Sequence, residues 1–215
     1  MKKLVLFAVF ALICVSLVAQ EKPAETMKSQ EPPAEAMMKP SKPGPEMEKL
    51  KKTFLGTWRT TEKHEPSMWM PKGGTGKGTA TYKLGPGGLS LIEDYRSSSS
   101  MGGKFMGHGV IWWDDKEKGY KSIWCDNMSP GGCEVSRGVG RWEGNAIMFD
   151  NETEMGEQKM KMTMKEVITD ITPKGFTFTM DMGPTGGEIK RVMTIKYARA
   201  GAAKSGEQAA ETKKQ

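Results

Sequence analysis

Three runs between Lys159 and Tyr197 alternate apolar and polar residues, and that pattern leaves few folds open. Met160, Met162 and Met164 alternate with Lys159, Lys161, Thr163 and Lys165. Phe176, Phe178, Met180 and Met182 alternate with Thr177, Thr179 and Asp181, and Ile189, Arg191, Met193, Ile195 and Tyr197 with Lys190, Thr194 and Lys196. Successive side chains of a strand point to opposite faces, so each run has one apolar and one solvated face. Similar segments surround Trp58, Tyr82, Leu89–Tyr95, Phe105–Trp113, Lys118–Cys125 and Ile147–Phe149. Gly-rich breaks separate them, at Lys72-Gly-Gly, Gly85-Pro-Gly-Gly, Met101-Gly-Gly, Pro130-Gly-Gly and Pro173-Lys-Gly. About nine or ten short antiparallel strands are predicted. A closed barrel is favoured, because closure removes the edges of so long a sheet. One helix precedes it: after Pro45, Met47, Leu50 and Phe54 fall at i, i+3 and i+7.

The ends of the chain read differently. Lys2 and Lys3, the apolar run Leu4–Val18 and the small Ala19 form an export signal over residues 1–19, too short for the ~20 residues of a spanning helix. Ile13 before Cys14 does not fit a lipobox, so no stable membrane anchor is expected once the signal is cleaved. Residues 20–44 are rich in Pro, Glu, Lys and Ala and read as a disordered spacer, as do residues 200–215 at the other end. The folded domain is placed at 45–199, in a periplasmic or secreted protein. Cys125 and Cys133 survive processing, and turn residues separate them. In an oxidising compartment this pair is expected to staple a hairpin.

Several function classes fail on the residues. A net charge of +6, spread along 215 residues, is too slight for a nucleic-acid surface. The stretch Gly73-Gly-Thr-Gly-Lys-Gly-Thr79 lacks the Gly-Lys-Ser/Thr order of a phosphate loop and leads into a strand, with no helix N-terminus to hold phosphate. There is no Gly-x-Ser-x-Gly elbow, and Ser97–Ser100 read as loop. Glu62 and Glu93 fall on the Trp58 and Leu91 faces of their strands, where inward carboxylates more often pair with a cation such as Arg191 than act in glycoside cleavage. No catalytic role and no cofactor are expected.

Short motifs carry a resemblance to a known family. Leu55-Gly-Thr-Trp58 resembles the Gly-x-Trp opening of lipocalin-type (calycin) barrels. Its order with Gly76-Lys-Gly78-Thr, Gly107-His-Gly109, Trp113-Asp114, Trp124-Cys-Asp126 and Ile195-Lys-Tyr197-Ala-Arg199 is similar to the bacterial domain-of-unknown-function family 1579, over about Met47 to Arg199. The resemblance implies a lipocalin-like barrel and no settled activity. Where the family usually has Gly-Tyr-Asp, this chain has Trp112-Trp113-Asp114. The resemblance also implies that a last-strand cation, Arg199, covers Trp58 and closes the barrel base.

The inward face is the most informative region. The 18 Met are about three to four times ordinary usage. Taking Trp58 as inward places His64 beside it, and the same reasoning selects Tyr95, Met106, His108, Trp112, Met160, Met162, Met164, Met180, Met182, Arg191 and Met193 as candidate cavity residues. A barrel of this strand number holds one small ligand, and Met and Trp walls suit an apolar, flat or flexible molecule. The same side chains would equally serve as filling, and the sequence leaves both readings open. A different reading takes His64, Met68 and Met70 as soft ligands for Cu(I) or Ag(I).

Overall fold

The computed structural model describes residues 41–67, 70–100, 102–129, 131–136, 138–155 and 158–201. The predicted signal, all but the end of the spacer, and the tail after Gly201 lie outside them. Helix α1 (Pro45–Phe54) starts at a Pro that needs no intrahelical partner. It carries Glu46 and Glu48 in its first turn and Lys51 and Lys52 in its last, matching the helix dipole. It buries Met47, Leu50 and Phe54.

Eleven strands follow: β1 (Gly56–His64), β2 (Gly74–Leu84), β3 (Ser90–Ser99), β4 (Lys104–Asp114), β5 (Gly119–Asp126), β6 (Cys133–Val135), β7 (Arg141–Glu143), β8 (Ala146–Met155), β9 (Met160–Thr172), β10 (Gly175–Pro184) and β11 (Lys190–Arg199). All pair antiparallel in one sheet of order β6-β5-β4-β3-β2-β1-β11-β10-β9-β8-β7. The count exceeds the nine or ten predicted because β6 and β7 are three residues each, too short to show alternation. Ser97–Ser99 belong to β3 rather than to a loop, and Ser97 is buried.

The sheet curls into a half-barrel whose edge strands β6 and β7 do not pair with each other; the segment between them bridges the gap. Tyr120 of β5 and Gly140, just before β7, exchange both backbone hydrogen bonds at 2.8 Å, and the Ser136 N–H donates to the Ser122 carbonyl at 2.9 Å. On the other side of this segment, Gly138 N–H and Ser136 Oγ both donate to Asn151 Oδ1 of β8 (2.8 and 2.7 Å). Backbone approach is so close that a Cβ on Gly138 would lie 1.9 Å from the Asp150 carbonyl oxygen. The Cys125–Cys133 disulfide joins directly opposed residues of β5 and β6. Asp126 fixes the intervening turn by accepting from the N–H groups of Met128 and Ser129.

At one end α1 plugs the barrel. Trp58 is fully buried among Phe54, Tyr82, Phe176 and Tyr197 of the aromatic core, and its Nε1 donates to the Phe54 carbonyl at 2.7 Å. The Arg199 guanidinium lies 4.1 Å from the Trp58 ring centroid, and donates to the carbonyls of Leu55 (3.0 Å) and Pro173 (2.8 Å). Two carbonyls at the helix C-terminus are thus satisfied, with a cation where the dipole favours one. Gly56 makes this approach possible: its φ is +117°, and a Cβ there would stand 3.0 Å from Arg199 Nη1. Gly56→Ala is therefore expected to destabilise the fold by about 1–3 kcal/mol, seen as a lower urea midpoint at unchanged slope. An unchanged midpoint would show that the hinge tolerates a side chain.

Candidate functional site

The inner face away from α1 is where the candidate residues gather, and glycines make the room. Gly76 and Gly78 of β2 stand opposite Glu62 and Thr60. A Cβ on Gly76 would be 2.4 Å from Glu62 Oε2. Glu62 accepts a 2.6 Å hydrogen bond from the Tyr95 hydroxyl and lies 3.0 Å from His64 Nε2. Burial raises the carboxyl, but hydrogen bonds from His64, Tyr95 and Ser97 outweigh it and hold Glu62 below the ordinary range. Burial and the bond to Glu62 push the Tyr95 hydroxyl up, so it remains a donor.

Gly107 and Gly109 do the same for Trp124. A Cβ on Gly107 would meet the Trp124 ring at 2.1 Å. The indole lies over both glycines, stacks on Phe105, and donates to Asp126 at 3.0 Å. This fixes the orientation of β4: Phe105, Ile111 and Trp113 pack toward the core. Met106, His108 and Trp112 consequently occupy the opposite, outer face, contrary to the sequence reading. Met106 is 50% exposed. The His108 side chain is 50% exposed, and its Nδ1 lies 2.9 Å from Asp94, which also accepts from Lys83. Both faces of β4 carry apolar residues, so alternation did not decide between them. The size of Trp124 on the neighbouring strand does.

The Met-bearing strands face as their alternation predicts. Register places Met160, Met162, Met164 and Glu166 on one face of β9, opposite Thr153, Asn151 and Phe149 of β8. It sets Met182 of β10 beside Met164, Met180 beside Glu166, and Met193 of β11 beside Met180 and His64. Met162 is buried, whereas Met160 at the mouth is 39% exposed. Arg191 does not reach an inner carboxylate: a register shift between Met180 and Asp181 pairs it with Asp181 at the rim. Met68 lies outside the described residues. Met70 N–H donates to Ser67 Oγ at 3.2 Å in the turn after β1, and His64 Nε2 is occupied by Glu62.

Glu166, Glu134 and Trp124 escaped the sequence reading. Glu166 continues the Met160-Met162-Met164 period by one further step, which was the signal available for it. Glu93 and Glu166 are half-buried on the inner face, as are Trp124, Met164 and Met180. Burial pushes Glu93 up to about 7, with the Tyr82 hydroxyl pulling back and the charges of Asp94 and Glu166 adding to the rise. Burial, then the charge of Glu134, pushes Glu166 up to about 7. A separate open cleft of ≈ 400 Å³, outside the barrel between α1 and Trp113, Tyr120 and Trp142, holds none of the predicted site residues.

A carboxyl raised from 4.5 to about 7 keeps its proton in the folded chain where the unfolded chain has lost it. Its contribution is full below pH 4.5 and is lost as pH rises to about 7. The loss is up to about 3 kcal/mol per group. Urea midpoints are expected to fall between pH 5 and pH 8 in the parent and to stay level in Glu93→Gln/Glu166→Gln. An equal fall in both would show that other groups carry it.

The comparisons with known proteins come down to fold. The family model described as "Protein of unknown function (DUF1579)" matches residues 42–199. No curated protein matches. Among solved structures, the chain is similar to Rv2717c from M. tuberculosis at 12% identity and a TM-score of 0.52, covering 74% of this chain and 99% of that one. It is also similar to the S-type phycobiliprotein lyase CPES from Guillardia theta at 11% identity and a TM-score of 0.49, covering 71% and 92%. A redesigned β-barrel, mFAP0, bound to DFHBI, matches at 15% identity and a TM-score of 0.38, covering 68% and 99%.

Proposed function

Because the chain belongs to the DUF1579 family, whose description assigns no activity, we propose from its own geometry that it is an exported, non-catalytic container for a small apolar molecule. One observation carries this reading: Met164, Met180 and Trp124 share the inner face and each keeps part of its surface accessible instead of packing shut. Thioether walls adapt to irregular shapes, and an aromatic floor supplies area at little entropic cost. Entry is from the mouth rimmed by Met160 and Glu134, since α1 and the aromatic cluster fill the other end.

Export rests on the signal read at residues 1–19 and is supported by the Cys125–Cys133 disulfide. No helix among the described residues is long and apolar enough to cross a membrane. The alternative, Cu(I) or Ag(I) held by His64, Met68 and Met70, would bind through His64 Nδ1, since Nε2 meets Glu62. The gathering of Met164, Met180 and Trp124 on the inner face favours the organic ligand.

Native mass spectrometry of protein purified from its own host is expected to show an organic adduct that departs on denaturation. An empty barrel whose Trp fluorescence ignores a panel of lipophiles would overturn the proposal.

A further inference from the structure

The barrel interior is more acidic than an apolar ligand needs. Glu62, Glu93, Glu134 and Glu166 all stand on the inner face, by their pairing with Gly76, Tyr82, Trp124 and Phe149. Two of the four are provided for: Glu62 takes the Tyr95 hydroxyl and faces His64, and Glu134 takes the Thr153 hydroxyl at 2.7 Å. The other two are served less fully, although the Tyr82 hydroxyl reaches the Glu93 carboxyl. Glu166 receives one long contact, 3.4 Å from Asn151 Nδ2. Glu93 Oε1 is buried and meets no donor among the described residues. A native fold that leaves a buried carboxylate oxygen empty calls for an explanation, since such an atom is costly to desolvate unpaired.

Among the described residues, the strand-borne cations nearest these acids are engaged elsewhere or face outward. Arg191 is bound to Asp181 at the rim, and Arg199 is bound to Trp58 and two carbonyls. Arg59, Lys77, Lys83, Arg96, Lys165 and Lys196 lie on the alternate, outward positions of their strands. The two under-served carboxyls are close enough for the charge of Glu166 to act on Glu93. Around them stand Tyr82, Trp124, Phe149 and Met180. Aromatic faces attract a cation, and thioethers accommodate the carbon skeleton that carries it.

Resting on the container reading above, we infer that the molecule taken up carries a basic amine, with its ammonium held by Glu93 and Glu166 and its apolar body against Trp124, Met164 and Met180. The ammonium donates to Glu93 Oε1, the acceptor the fold leaves empty. The anionic pair then gains a cation that none of the described residues named above supplies.

Three probes of one shape test this by titration calorimetry on the full chain with its disulfide intact, at pH 7.5: 4-phenylbutylamine, 4-phenylbutanol and 4-phenylbutyrate. The amine is expected to bind at least about tenfold more tightly than the alcohol, and the carboxylate weakest of the three. In Glu93→Gln and Glu166→Gln the amine-to-alcohol ratio is expected to fall toward one, with alcohol binding retained as evidence that the variants fold. Alcohol or carboxylate binding as tight as the amine overturns the amine inference and leaves the container reading standing. A ratio that both Gln variants preserve also overturns it. Absence of binding by all three overturns the container reading with it. Should the variants fail to fold, the ratio in the parent chain still decides.

Discussion

The contact on which the rest of the barrel depends is the Arg199 guanidinium lying 4.1 Å from the ring centroid of a fully buried Trp58. A cation over an indole contributes about 0.5–2 kcal/mol, and here the same group also answers the carbonyls of Leu55 and Pro173. Trp58 Nε1 answers that of Phe54. One pair of side chains therefore joins the first strand, the last strand, the β9–β10 turn and the C-terminus of α1. The positive φ of Gly56 lets the chain pass from helix to strand without a Cβ in the way of the guanidinium. With α1 held, Met47, Leu50 and Phe54 fill the base, and Lys49 reaches over Trp142 at 3.6 Å to hold the helix to β7.

Sealing one end gives the barrel a direction. Aromatic packing occupies the base, while the upper inner face carries methionines, Trp124 and carboxylates, with glycines opposite the largest groups. Gly76, Gly107 and Gly109 act by absence of volume: each stands where a Cβ would collide with Glu62 or Trp124, or press against it. Burying carboxyls such as Glu93 and Glu166 lowers stability at neutral pH, because the charged form loses its hydration and gains no cation among the described residues named above. A fold that needed only a filled core would do better with apolar residues of similar volume there.

Much of this was legible before the structure, and the rest was hidden for identifiable reasons. The period-two runs of β9 to β11 each have a single apolar face, so their inner residues follow from the sequence. The helix spacing Met47, Leu50, Phe54 is equally unambiguous. Strand β4 is apolar on both faces, and only the bulk of Trp124 against Gly107 and Gly109 decides that Met106, His108 and Trp112 turn outward. Arg191 keeps the inward parity of β11, but the register shift beside Asp181 takes it to the rim. The closing segment, with three-residue β6 and β7 around Gly138 and Gly140, has no periodicity to read. Its glycines mark close backbone approach that only a partner strand reveals. Glu166 was within reach, since the methionine alternation points directly at it.

The central claim is that the barrel keeps two protonatable carboxyls on its inner face for an incoming cation. The direct measurement is the ¹³C carboxyl titration of Glu93 and Glu166 by NMR, free and with saturating 4-phenylbutylamine. Both carboxyls are expected to titrate near 7 in the free protein and to fall toward or below the ordinary carboxylate value when the amine is bound. Ordinary values in the free protein, or titrations that the amine leaves unmoved, would contradict the account.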